Sequence, residues 1–169
     1  MTRFAIVPES SRVWIEAESS VHPIHGESTG LQGYVDAATN DGHLDLSAPA
    51  TFHVELPVEQ LKSGNKLQDR EMARRIEAKK YPVITGEAQD AQHLEGQTYR
   101  LRGNLTFHGV TQPVEGDVIL SLDGDGSMVV SGQQVFDIRE FDVKPPKILT
   151  LKVHPQVTVR VEVVAKASG

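Results

Sequence analysis

Hydrophobic side chains recur at every second position over much of this chain, and that period limits its fold more than any other feature. The clearest run is residues 43–56, where the even positions from Leu44 to Leu56 are apolar and the odd ones are mostly polar. A side-chain period of two is typical of a β-strand with one buried face and one solvent-exposed face. Pro49 interrupts the run. Since proline has no N–H to donate, we expect a bulge or an unpaired stretch there.

The same period returns in other segments of the chain, in some of them more weakly. These segments are residues 12–19, 31–37, 82–91, 100–108, 114–122, 128–138 and 157–163. Asn40-Asp41-Gly42 and Asp123-Gly124-Asp125-Gly126 have the composition of hairpin turns. The sequence therefore predicts about eight antiparallel strands.

One segment has helical rather than alternating spacing. Between residues 65 and 80 the apolar positions include Leu67, Met72 and Ile76, with charged residues between them. We expect a single α-helix near residues 66–79, inserted between two strands.

Long antiparallel strands in one domain of 169 residues form either a sandwich or a closed barrel. Only 5% of the residues are aromatic, and the expected inner faces contain many small side chains. The small inner residues are Ala17, Gly33, Ala37, Ala48, Ala50, Gly103 and Gly116. A barrel of eight strands can enclose one small ligand. Periodicity alone leaves open whether the interior is hollow or whether these residues allow close packing in a solid core.

The composition excludes several classes of function. A net charge of −6 argues against a nucleic-acid partner, and the absence of cysteine excludes disulfides, thiolate nucleophiles and cysteine-based metal sites. There is no Gly-x-Ser-x-Gly nucleophile turn and no phosphate-binding loop. We therefore predict a binding protein, not an enzyme, with no cofactor. Residues 1–8 lack the pattern of a secretion signal, which predicts a cytoplasmic protein, or a periplasmic or extracellular one if a leader has been removed.

Three sequence motifs are distinctive. The first comprises Lys62-Ser-Gly-Asn65, Asp69 and Tyr81-Pro-Val-Ile-Thr85. The second, Tyr99–Thr111, contains Gly-Asn-Leu-Thr-Phe-His-Gly-Val-Thr, and the third is Phe136-Asp-Ile-Arg-Glu-Phe-Asp-Val143. With these motifs and their spacing, the chain resembles the YceI family of lipid-binding proteins over nearly its whole length. The chain departs from the family pattern at Gly86, at Asp142 and in the stretch 21–26.

The resemblance implies an all-β fold, an extended eight-stranded antiparallel β-barrel of lipocalin-like appearance. It also implies an apolar tunnel that holds a polyisoprenoid, an isoprenoid quinone or another long amphiphile as the ligand. For such a tunnel we expect a wall formed by Val13, Ile15, Leu31, Val35, Leu46, Phe52, Val54, Leu101, Leu105, Phe107, Val118, Leu120 and Phe136. Polar residues at one mouth would hold the head group, and the candidates are His22, His25, Arg139 and Lys144.

Three further readings of the sequence stand beside this one. His22 and His25, with or without His108, form an alternative haem or metal site. The plainer interpretation is that Pro23 shapes a loop and that the first two histidines are surface residues or polar caps on a barrel mouth. We expect His108 to hold a hairpin through side-chain-to-backbone hydrogen bonds. The basic helix predicts transient contact with an anionic membrane surface, or else a solvated face with pairs such as Glu71–Arg75. Trp14, on an otherwise wet face, is a candidate for a homodimer interface.

Overall fold

A computed structural model describes residues 1–145, 147–148 and 151–167, and this part of the chain is almost entirely β-structure. The strands are β1 (Thr2–Ile6), β2 (Arg12–Ser19), β3 (Ile24–Ser28), β4 (Gln32–Asn40), β5 (His43–Asp45), β6 (Thr51–Pro57), β7 (Val83–His93), β8 (Thr98–Phe107), β9 (Val110–Leu122), β10 (Ser127–Asp137), β11 (Lys147–Ile148) and β12 (Leu151–Ala167). The α-helix, α1, is Lys66–Arg75. No helix in the described ranges is long and apolar enough to cross a membrane.

The sheet closes on itself as a barrel. Its order is β1-β4-β6-β7-β8-β9-β10-β12, and β12 pairs back with β1, so eight antiparallel strands form the ring. The long strand β12 pairs with β1 through residues 165–167 and with β2 through residues 153–162. Strands β1 and β2 therefore act as one bent wall strand, with β3 paired alongside β2. The predicted eight-stranded barrel with one helix is confirmed.

Several boundaries differ from the sequence-based expectation. The run at residues 43–56 is two strands, β5 and β6, because Asp45 Oδ1 accepts hydrogen bonds from the Ser47 N–H (3.0 Å) and hydroxyl (2.6 Å) and turns the chain before Pro49. Strands β1 and β3 were not predicted. β1 has too few residues to show a period, and β3 places Gly26 and Ser28 where apolar residues would reveal one.

Helix α1 ends four residues before the predicted position 79. Glu77 takes a left-handed conformation with φ of 53° just after the helix. Its N–H donates to the Arg74 carbonyl (3.2 Å), and the Ala78 N–H donates to the Ala73 carbonyl (2.9 Å). This is the Schellman arrangement that terminates a helix, here formed without the usual glycine, which explains why the sequence did not reveal it.

The barrel interior contains two packed clusters of buried side chains, one toward each end. The hairpin end, where β1 and the β4–β5, β7–β8 and β9–β10 connections lie, is filled around Phe4, Tyr99 and Met128. Tyr99 also accepts a hydrogen bond at its hydroxyl from the Leu44 N–H (3.1 Å). The helix end is filled by the segments that follow β6, α1 and β10. Its buried residues are Val58, Ile76, Ala78, Ile138 and Val143.

Candidate functional site

Between the two packed ends, the inward side chains form a belt that is only partly buried. By strand register, Leu101 and Leu105 lie on the same face of β8 as buried Tyr99, and Val114 and Val118 lie on the same face of β9 as buried Leu120. We call this set the central belt. Its members are Ile15, Val54, Leu101, Leu105, Val114, Val118, Phe136, Val159 and Val161. These residues are only partly buried, so the belt is less tightly packed than the two ends of the barrel.

Three belt residues are the least packed. Leu105, Val114 and Phe136 belong to neither of the packed clusters among the described residues. Gly116 lies in the same row and has no side chain to pack there. The least packed part of the inner wall therefore lies on β8, β9 and β10, on the side toward the helix end.

The wall opens between β9 and β10. These strands pair from Met128↔Leu122 to Gly132↔Val118, and within the described chain their pairing stops there. Beyond that point β9 stays paired with β8, and β10 stays paired with β12. We call the resulting gap between residues 110–117 and residues 133–137 the lateral cleft. Five residues of strand correspond to a cleft about 17 Å long.

The lateral cleft contains a cavity of ≈ 290 Å³ near the helix end and a second, more open one of ≈ 390 Å³ beside it. The first is lined by Gln112, Pro113, Val114, Glu115, Gln134, Val135, Phe136, Asp137, Glu140, Phe141 and Gln156. These residues include both inward and outward side chains of the two strands. The cavity therefore connects the surface with the central belt.

Residues of the three sequence motifs form the hydrogen bonds that order the segments closing the helix end. Asn65 caps α1 by accepting hydrogen bonds from the Leu67 and Gln68 N–H groups, and Asp69 accepts from the Ser63 N–H (2.9 Å) and hydroxyl (2.7 Å). The backbone at this end is thus fixed by short polar side chains, as the loop before a helix requires.

His108 connects three separate segments at this end. It occupies a left-handed turn (φ 56°) between β8 and β9, and its Nδ1 donates to the Phe141 carbonyl oxygen at 3.1 Å. Its Nε2 lies 2.6 Å from Glu77 Oε2, and its ring contacts Tyr81 edge-on at 5.0 Å. His108 does bond a backbone carbonyl, as expected, but that carbonyl lies outside its own hairpin.

The predicted tunnel wall lies on the inner side of the barrel. Ten of these side chains, including Leu46 just after β5, contribute to the hairpin-end cluster or pack against it, and Phe107 packs at the helix end. The remaining two, Leu105 and Phe136, belong to neither cluster and are only partly buried. Their contact with a ligand remains a prediction.

The four predicted head-group residues lie at the helix end, outside the barrel, in two separate places. His22 and His25 are exposed in and after the β2–β3 turn; His22 Nδ1 lies 3.0 Å from the Pro23 carbonyl oxygen, and His25 Nδ1 lies 3.5 Å from Glu16 Oε2. Arg139 and Lys144 are exposed after β10. The structure therefore does not gather the four into one site.

Arg139 is already engaged with a carboxylate of its own segment. Its Nε donates to Asp137 Oδ1 (3.0 Å) and a terminal nitrogen donates to Asp137 Oδ2 (2.6 Å). These side-chain bonds, followed by the bond from the Arg139 N–H, hold the pKa of Asp137 below its ordinary value. On the other side of the lateral cleft, Arg100 lowers the pKa of Asp117 in the same way, chiefly by a hydrogen bond at 2.8 Å.

The alternative metal site finds no geometric support. In residues 1–145 and the described parts that follow, no group of three or more His, Asp or Glu side chains is arranged to hold a metal ion. His108 is bonded to Glu77 and Phe141, whereas His22 lies in the β2–β3 turn and His25 lies in β3, opposite Glu16. The haem or metal hypothesis therefore rests on the sequence pattern alone.

Sequence reasoning missed the lateral cleft and its two inward glutamines. Gln112 occupies the inward row of β9 with Val110 and Val114, and Gln134 occupies the inward row of β10 with Gly132 and Phe136. A glutamine at an apolar position of a period-two run is a signal that was present in the sequence. The loss of strand pairing was not, because it depends on the path of both strands.

The other two candidate surfaces are partly occupied by the chain itself. Trp14 lies under the guanidinium groups of Arg160 (4.2 Å) and Arg12 (5.9 Å), which cover part of its ring. On α1, Glu71 pairs with Arg74 and lies 3.8 Å from Arg75, so the predicted pairs on a solvated helix face are present. Dimerisation and membrane contact stay predictions.

Comparison with known proteins identifies the family of the chain and other structures with the same fold. The profile of the YceI-like domain family matches residues 4–165. Among solved structures, BcnA of Burkholderia cenocepacia superimposes with a TM-score of 0.81 at 19% identity, covering 95% of this chain and 99% of that one. No curated protein sequence matches the chain.

Two further solved structures share the fold. A polyisoprenoid-binding domain from Saccharophagus degradans, implicated in plant cell wall breakdown, superimposes with a TM-score of 0.77 at 12% identity, covering 99% of this chain and 100% of that one. The YceI protein of Campylobacter jejuni gives 0.68 at 17% identity, with 85% of each chain covered. The barrel is thus a fold that this chain shares across its whole length.

Proposed function

This chain belongs to the YceI-like domain family, and from that premise we propose that it binds one long apolar or amphiphilic molecule, of the polyisoprenoid class, inside its barrel. The observation that carries the proposal is the central belt, in which apolar inward side chains are only partly buried between two packed ends. The binding domain from Saccharophagus degradans, with the same fold, supports the ligand class.

Burial of hydrocarbon is the source of the affinity. Each CH₂ group removed from water contributes about 0.8 kcal/mol, so a short buried section of a polyprenyl chain is enough for tight binding. The polar end of such a molecule must remain hydrogen-bonded, because an unpaired polar group in an apolar interior is costly. The protein acts through sequestration or transfer of this ligand, not through chemical change of it.

Filling the belt tests the proposal. We expect Leu105→Trp to fold with a stability close to that of the wild type, because its added volume enters the least packed part of the interior, and to weaken the binding of geranylgeraniol at least tenfold. Asn104→Trp, on the outer face of the same strand, is the matched control and should bind normally. Leu120→Trp, at a position 2% exposed, should instead destabilise the fold by about 1–3 kcal/mol through overpacking.

Two results oppose the proposal. If Leu105→Trp destabilises the fold as strongly as Leu120→Trp, the belt is filled and has no room for a ligand. If the wild type takes up neither geranylgeraniol nor longer polyprenols, the barrel has another role.

A further inference from the structure

The two ends of the barrel and its side differ in how a ligand can reach the interior. At the hairpin end, Met128 is 0% exposed and Tyr99 is 1% exposed, so the interior is closed by fully buried side chains. At the helix end, Ile76, Ala78 and Ile138 are buried and His108 ties the closing segments together. Access through either end requires a packed cluster to come apart.

The lateral cleft requires no such disruption. Its strand edges, residues 110–117 of β9 and 133–137 of β10, are not paired with each other. Continuing the register of the paired section places Gln134 opposite Gly116, and the Gln134 Oε1 atom lies 3.3 Å from where a β-carbon on Gly116 would be. At this point of the gap, the flexible side chain of Gln134 therefore lies over a glycine.

Apolar side chains line this opening on both its inner and its outer side. Val114 and Phe136 line the cleft and belong to the central belt behind it, next to Leu105. On the outer side Val135 is 56% exposed at the rim. A hydrocarbon chain in the cleft would thus contact apolar side chains along its path.

The polar groups of the rim are neutral amides, three carboxylates that pair with arginines, and the carboxylate of Glu140, which forms no ion pair among the described residues. Gln112, Gln134 and Gln156 line the cavity, and Gln112 donates to the Glu140 carbonyl oxygen at 2.8 Å. Four carboxylates surround them. These carboxylates are Glu115, Asp117, Asp137 and Glu140.

Three arginines near this rim each bond one of these carboxylates. Arg100 bonds Asp117 (2.8 Å), Arg102 bonds Glu115 (2.9 Å) and Arg139 bonds Asp137 (2.6 Å). A diphosphate here would meet arginines that already pair with carboxylates and, in addition, the negative charge of Glu140. A hydroxyl or carbonyl group would instead meet side-chain amides and backbone groups of the two strand edges, which are not paired with each other.

We propose that the lateral cleft is the portal of the barrel and the site of the ligand's polar end, and that it takes a neutral hydrogen-bonding head group in preference to a phosphate. This inference rests on the proposed function, because it concerns the same ligand. Gln134 is the specificity-determining side chain, since it covers the opening and presents both an amide donor and an acceptor.

A disulfide that joins the two strand edges across the cleft tests the portal. Because the natural sequence contains no cysteine, two introduced cysteines can pair only with each other within the chain. Glu115→Cys with Val135→Cys joins the outer faces of the unpaired edges; if the thiols do not oxidise, a short bis-maleimide joins them. Ser121→Cys with Val129→Cys is the control, across the paired part of the same strands. We expect the closed cleft to slow uptake of tritiated geranylgeraniol at least tenfold, reversibly on reduction of the disulfide, and the control to leave uptake unchanged.

A matched set of head groups tests the specificity. The wild type should bind geranylgeraniol at least tenfold more tightly than geranylgeranyl diphosphate. Gln134→Lys should narrow this ratio by placing a free cation in the cleft, whereas Gln97→Lys, with the same charge change at the hairpin end, should not.

The outcomes separate the two proposals. Binding of neither probe by the wild type overturns the proposed function itself. Normal binding with uptake that the disulfide does not slow leaves that function standing and overturns the portal. Tighter binding of the diphosphate by the wild type overturns the neutral head-group site.

Discussion

His53, on the outer face of β6, is hydrogen-bonded to two carboxylates of the barrel wall. Its Nε2 lies 3.0 Å from Glu55 and its Nδ1 lies 2.8 Å from Glu87, while its ring stacks on Tyr34 with 5.2 Å between ring centres. The side chain is 17% exposed. The bond to Glu55, and after it the bond to Glu87, raises the pKa of His53 above its ordinary value of 6.5, against the opposing effect of burial.

This raised pKa predicts a specific pH dependence. The stabilisation from the charged ring is fully present below the pKa of the unfolded chain and is lost as the pH rises through the higher pKa of the folded state. We therefore expect the urea midpoint of the wild type to fall from pH 6 to pH 9 relative to that of His53→Gln. His22→Gln, at an exposed histidine, should retain the wild-type slope; identical slopes for the wild type and His53→Gln would contradict this account.

Gly103 is required by the close approach of β8 to β7. A β-carbon there would lie 1.8 Å from the Glu87 carbonyl oxygen, whereas a β-carbon on Gly124 would meet nothing within 4 Å. We expect Gly103→Ala to destabilise the fold by at least the about 1–3 kcal/mol typical of overpacking, measured by urea unfolding, and Gly124→Ala to change it by less than about 0.5 kcal/mol. Equal effects of the two substitutions would show that the strands can separate at Gly103 without cost.

At the scale of elements, α1 closes its end of the barrel mainly through one face. Met72 packs against both the helix-end cluster and the smaller cluster of Ala17 and Val153, so it joins α1 to β2 and β12. Leu67, on the same helix, is 50% exposed. The helix thus depends on tertiary contacts at Met72, as short helices generally do.

Replacing Met72 or Leu67 with alanine tests whether the tertiary contacts of Met72 stabilise the fold, because both substitutions introduce the same residue into the same helix. We expect Met72→Ala to lower the free energy of unfolding by about 1.5 kcal/mol, less than for a fully buried methionine because its side chain is only half-buried. Leu67→Ala should leave it within about 0.5 kcal/mol of the wild type. Equal losses, measured in chemical denaturation, would mean that α1 does not close the barrel through Met72.

Elements with a long, regular period were predictable, and those shaped by tertiary contacts were not. Strands β8, β9 and β12 show the alternation clearly, and the helix was found from its spacing. The split between β5 and β6, and the early end of α1 at Glu77, depend on local hydrogen bonds that composition does not reveal.

For the whole molecule, the barrel followed from alternation and from the family motifs, but its opening did not. Sequence reasoning placed the polar residues of the site at one mouth, with His22, His25, Arg139 and Lys144. In the structure these four residues lie in two separate places at the packed helix end, and the unpaired edges of β9 and β10 form the lateral cleft in the side of the barrel. Whether two strands pair or separate depends on the coiling of the entire sheet, which no single segment encodes.

The central claim is that the barrel holds one long apolar molecule, and native mass spectrometry of protein purified from its own host without solvent extraction tests it most directly. We predict a complex of one chain with one long-chain lipid, which denaturation releases and an added polyprenol restores. A spectrum of the bare chain alone, together with no uptake of added geranylgeraniol or longer polyprenols, would contradict it.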